Sequence, residues 1–88
     1  DINLDLLART FSISKYHMAR EFKRFIGKSP IDYLIDVRIN RAKALLYDSS
    51  RPISDICQLV GIPNPNHFLY LFKDREGVTP SAFRKFKL

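Results

Sequence analysis

Apolar positions recur along this chain at intervals of three and four residues, the spacing of a helix that buries one side. Leu4, Leu7, Ala8 and Phe11 make the first run, with Asn3 placed to cap it. Ser12-Ile13-Ser14 interrupts the pattern. Ser14 then caps a second run, in which Met18, Phe22, Phe25 and Ile26 share one stripe and Gly27 supplies a left-handed stop. Ser29-Pro30 opens the longest helix, with Asp32 where a capping-box acid would stand. That helix continues through Leu34, Val37, Arg38, Ala42, Leu45 and Leu46 and ends near Asp48-Ser49-Ser50. After Pro52, the spacing of Ile53, Ile56, Cys57 and Val60 predicts a short helix, broken from Gly61 to Asn64. Asn64-Pro65 opens the next, with Phe68, Leu71, Phe72 and Arg75 along one side and Gly77 as its stop. Thr79-Pro80 begins a last short helix through Phe83 and Arg84. Strand signals are nearly absent, so the pattern predicts an all-α chain.

The two ends repeat each other. Phe22-Lys23, Gly27, Pro30 and Tyr33 recur as Phe72-Lys73, Gly77, Pro80 and Phe83; His17 and Met18 recur as His67 and Phe68. Upstream, Leu7-Ala8, Phe11 and Ile13 match Ile56-Cys57, Val60 and Ile62, with the second turn one residue longer. A short helix, a tight turn and a longer helix thus occur twice, with the long helix between them. That arrangement describes a helix-turn-helix, or a helical hairpin duplicated for packing.

Composition narrows the field. At 88 residues the chain holds one domain, divided as 1–28, 29–50 and 51–88. Hydrophobic residues are 45% and charged residues 27%, enough for both a core and a solvated surface. The net charge of +6 and pI near 9.8 suit a polyanionic partner, or simply a soluble cationic surface. The single cysteine, Cys57, can form neither an internal disulfide nor a zinc site, and reads as a small buried residue in a reducing, cytoplasmic setting. No apolar run reaches the ~18 residues of a membrane span, and no signal peptide is evident. With Asp1 in place of a methionine, the chain is expected to be a fragment of a larger protein.

The free side of each second helix carries the candidate chemistry. With Met18 and Phe22 inward, Tyr16, Arg20 and Lys23 face outward, flanked by His17, Ala19 and Arg24. Arginine can bond two acceptors of guanine, while Lys23 and Arg24 suit phosphate. With Phe68 and Phe72 inward, Asn66, Tyr70 and Lys73 face outward, flanked by His67, Leu69 and Asp74. Asn66 can pair with adenine, and Leu69 or Tyr70 can pack on a thymine methyl; this more apolar face equally suits backbone contacts or a protein. His17 and His67 occupy equivalent places in separate units, which argues against a shared metal ion; no metal or cofactor is expected.

These motifs resemble the DNA-binding domain of AraC/XylS-type transcription regulators over nearly the whole chain. The diagnostic stretch is Ile53-x-x-Ile56-Cys57-x-x-Val60-Gly61-Ile62, then His67-Phe68-x-x-x-Phe72-Lys73-x-x-x-Gly77-Val78-Thr79-Pro80-x-x-Phe83-Arg84. The first half carries a looser version: Leu7-Ala8, Ser14, Phe22-Lys23, Gly27, Pro30, Tyr33, Arg38 and Ala42-Lys43-x-Leu45-Leu46. The resemblance implies about seven helices in a homeodomain-like, all-α fold, with two helix-turn-helix units joined by a rigid linker helix. It implies recognition helices in successive major grooves of double-stranded DNA, about 34 Å apart. Positions matching Tyr16, Ala19 and Arg20, and Pro65, Asn66, Leu69 and Tyr70, face bases in that pattern. Phosphate contacts are expected from Ser14, Lys15, Lys23, Arg24, Arg38, Pro65, His67, Lys73, Thr79 and Arg84. Three departures stand out: Cys57 for a common alanine, Ile62 for a common phenylalanine, and Leu69-Tyr70 where polar residues or arginine are frequent.

The expected function is therefore sequence-specific DNA binding in a bacterial transcription regulator, activator or repressor, with the first unit the stronger reader. The competing class is a helical protein-interaction module that touches RNA polymerase or a partner domain. By family analogy, a sensor or dimerisation domain would lie elsewhere in the full-length chain. No nucleophile triad, paired carboxylates, metal-ligand cluster or glycine-rich phosphate loop points to an enzyme.

Overall fold

The computed structural model describes residues 14–86, together with Arg9. Five helices follow one another there: α1 (Lys15–Ile26), α2 (Pro30–Asp48), α3 (Ile53–Leu59), α4 (Pro65–Glu76) and α5 (Pro80–Lys85). Among the described residues there is no strand. Five is the count among the described residues, against an expected figure of about seven for the whole chain. Apart from Arg9, which is helical, the helix expected over Leu4–Phe11, its Asn3 cap and the break at Ser12-Ile13 lie outside the described residues.

The starts of α1, α2, α4 and α5, and the ends of α1 and α4, have a local cause. Before a helix's first turn closes, its leading N–H groups lack partners, and a side-chain oxygen can accept from them. Ser14 Oγ accepts from the His17 N–H at 3.0 Å, and Ser29 Oγ from the Asp32 N–H at 3.2 Å. Asn64 Oδ1 accepts from the N–H groups of Asn66 and His67 at 3.0 and 3.1 Å. Thr79 Oγ1 accepts from the Ala82 N–H at 3.1 Å. At the far ends, Gly27 (φ 89°) and Gly77 (φ 78°) adopt the left-handed conformation. Each returns its N–H to a carbonyl four residues back, of Lys23 and Lys73 respectively, both at 2.8 Å. The repeat read in the sequence is thus a repeat of hydrogen bonds.

The chain divides into two compact units, up to Leu34 and from Ile35 on. The division falls within α2.

In the first unit, Phe22 on α1 meets the ring of Tyr33 edge-on, with centroids 5.6 Å apart. Met18 and Phe22 are half-buried. Phe25 and Ile26, expected on the same buried stripe, are instead exposed. With Met18, Phe22, His17 and Glu21 they line an open groove of about 360 Å³.

Among the described residues, the buried core lies in the second unit: Ile39, Ala42 and Leu46 of α2, Ile56 and Cys57 of α3, Val60 and Ile62 of the turn, and Phe68, Leu71 and Phe72 of α4. Phe68 and Phe72 are fully buried, each stabilising by about 1.5–3 kcal/mol. Phe72 meets Phe83 edge-on at 5.7 Å, the counterpart of the Phe22–Tyr33 contact. Cys57 is buried as expected, and its Sγ lies 3.2 Å from the Ser54 carbonyl.

Candidate nucleic-acid interface

In the first unit the candidate surface is the exposed side of α1. Tyr16, Arg20, Lys23 and Arg24 are exposed, and Ala19 is half-buried. The Arg20 guanidinium stands over the Tyr16 ring, 5.5 Å from its centroid. That contact holds a planar five-donor group on a helix surface, where a flexible side chain would otherwise sample many rotamers. Arg24 lies over the Phe25 ring at 5.5 Å and within 3.6 Å of Glu21. Lys15 and His17 are also exposed, near the start of the same helix.

In the second unit the surface is the exposed side of α4. Pro65, Asn66, His67, Leu69, Tyr70 and Lys73 all reach solvent. Two kinds of contact fix how the helix is rotated. Phe68, Leu71 and Phe72 seat its opposite side in the core. Polar links then tie it to α2: Arg75 Nε lies 3.3 Å from Asp36 Oδ1, and Lys43 Nζ lies 3.0 Å from Glu76 Oε1. Arg75 also bonds Asp74 at 2.9 Å, beside the outward face. These links are partly solvated, so each contributes under about 1 kcal/mol, but together they define one orientation.

Two expected phosphate ligands turn inward. Arg38 donates from an η nitrogen to the Gly61 carbonyl at 3.0 Å, in the turn that leads to α4. Arg84 donates from Nε to the Leu46 carbonyl at 3.2 Å and from an η nitrogen to the Ser49 carbonyl at 3.3 Å. For Arg84 the physical reason is the end of α2, whose last carbonyls have no partner within the helix and attract a cationic donor. Ser14 and Thr79 have their hydroxyls engaged as helix caps. The pairing of Asp36, Lys43, Arg75 and Glu76 was missed in the sequence. Only the inward place of Arg75 on the α4 stripe hinted at it.

Among the described residues no group of three or more His, Cys, Asp or Glu is placed to hold a metal ion. None of the described helices is long and apolar enough to cross a membrane.

The repeated caps, glycine stops and ring contacts describe a duplicated helical pattern, one copy of which follows the short helix and turn of α3. A helix-turn-helix domain family matches residues 7–85. The chain belongs to the AraC-type helix-turn-helix family. As a member of this AraC-type family it is a DNA-binding domain of transcription regulation. It is 39% identical over 84 residues to the bifunctional transcriptional activator/DNA repair enzyme AdaA of Bacillus subtilis, covering 96% of this chain and 40% of that protein. The chain therefore spans about two fifths of that relative's length. Among solved structures, the C-terminal domain of AraT, a response regulator from Geobacillus stearothermophilus, superposes with a TM-score of 0.93 at 30% identity, covering 100% of this chain and 73% of that one. The DNA-binding domain of the global transcriptional factor AdpA, in complex with a target DNA, gives 0.89 at 25% identity, covering 97% and 77%.

Proposed function

We propose that this AraC-type domain binds double-stranded DNA sequence-specifically, with α1 and α4 each entering a major groove. Arg20 reads guanine from α1, with Tyr16 and Ala19 beside it. Asn66, Leu69 and Tyr70 meet bases from α4. Lys15, Lys23, Arg24, Pro65, His67 and Lys73 lie toward phosphate. Arg38 and Arg84 are left out of the DNA-contacting set, whereas Ser14 and Thr79, whose oxygens accept from the helix N–H groups, keep an O–H to donate to phosphate. The observation that carries the reading is the fixed rotation of α4, whose core phenylalanines leave a separate set of side chains in solvent.

Binding occurs in the cytoplasm of a bacterium, and no catalytic step is assigned to these residues. Sensing and dimerisation belong to other parts of the full-length protein, and contact with RNA polymerase completes the role of an activator. Selection of bound duplexes from a random pool tests the proposal. Two groups of enriched bases are expected, one per recognition helix, with affinity falling steeply as salt rises, about −0.9 in log–log slope per phosphate neutralised. Salt-insensitive binding, or none, would instead favour a protein-interaction module.

A further inference from the structure

The outward face of α4 has an apolar centre. Leu69 and Tyr70 are 40% and 69% exposed, between Asn66 and Lys73. The helix cannot turn to hide them, because Phe68 and Phe72 are fully buried on its other side and Arg75 is held to Asp36. Positions three and four apart are neighbours on a helix, so Asn66, Leu69, Tyr70 and Lys73 form one continuous strip. The main features of the major groove are hydrogen-bond donors and acceptors, which a leucine cannot use. Its apolar feature is the C5 methyl of thymine.

We infer that α4 reads the C5 methyl of thymine through Leu69 and Tyr70, with the amide of Asn66 placed for a nearby adenine. The inference rests on the DNA-binding reading above and names what the second unit selects. From Asn66 to Tyr70 the helix rises about 6 Å, close to two base-pair steps, so the half-site is A·T-rich over about two adjacent pairs. The Asp74 carboxylate flanking the strip is engaged by Arg75 at 2.9 Å, which limits its repulsion of the DNA backbone.

The test uses the 88-residue chain and the duplex it selects, with each thymine replaced in turn by uracil, which lacks only the methyl. At one or two thymines the replacement should weaken binding about threefold to fivefold, the effect of one buried methyl group. Leu69→Gln or Tyr70→Ala should abolish that difference while leaving the thermal midpoint and helical content unchanged, since both side chains are exposed. Replacing a cytosine at the same position by 5-methylcytosine should recover part of the lost affinity. Equal binding of thymine and uracil duplexes, with the selected sequence still preferred over random DNA, overturns the methyl reading and leaves DNA binding standing. Uracil sensitivity that survives both substitutions also overturns it, because the methyl contact then lies elsewhere. No preference for any duplex overturns both.

Discussion

Arg20 and Tyr16 illustrate how a single contact can prepare a side chain for its partner. Stacking at 5.5 Å on an exposed face contributes only about 0.5–1 kcal/mol, but it narrows the guanidinium's range, which favours the proposed contact with guanine. Arg20→Ala is expected to cost about 1–3 kcal/mol and to relax preference at one or two base positions, measured by binding to single-base variants of the selected site. Tyr16→Phe should keep most of that preference, and Tyr16→Ala should lose part of it, because the ring face is what the cation uses. Lys73→Ala should weaken binding to every sequence and lower the salt slope by about one. Arg84→Met should leave the salt slope unchanged and lower stability by about 1–2 kcal/mol in denaturant unfolding, by removing its bonds to the Leu46 and Ser49 carbonyls. A fall in slope for Arg84→Met would return that residue to the phosphate-facing set. Nothing in the sequence separates Arg84 from Lys73, since both are basic residues on short-range helical patterns. What separates them is the end of α2, which reaches Arg84 only in the folded chain.

Helices were the most legible elements, because their ends are decided by residues within one turn. Ser14, Ser29, Asn64 and Thr79 cap as their position before a helical run predicts, and Gly27 and Gly77 stop as expected. The stripe through Phe25 and Ile26 was legible as a face but not as a buried one. Periodicity gives the side of a helix, not what covers it. Among the glycines, position decides cost. At Gly77 an added Cβ would meet nothing within 4 Å, so Gly77→Ala should cost only the left-handed backbone penalty, about 1–2 kcal/mol. At Gly61 (φ 81°) the same atom would lie 3.2 Å from the Arg38 guanidinium carbon. Gly61→Ala should therefore destabilise more than Gly77→Ala in equilibrium unfolding. It should also weaken DNA binding, since this turn leads into the recognition helix.

At the scale of the molecule, the buried core of the described residues lies on one side of the division within α2. The buried cluster belongs to the second unit, where α2, α3 and α4 meet. Phe72→Ala should accordingly cost about 3–5 kcal/mol, through lost burial and the cavity left beside Phe83. The division of the chain within α2 was not legible, because helical periodicity runs unbroken through Leu34 and Ile35 while the packing partners change there. The scaffold and the proposed reading surface also use different residues. Asn66, Leu69 and Tyr70 contribute no cap side chain, no glycine stop and no fully buried ring. Their side chains can therefore be exchanged at little cost to folding, within about 0.5 kcal/mol for exposed positions away from such features. A fold arranged in this way is evolvable: new operators can be acquired one exposed residue at a time, without passing through an unstable ancestor.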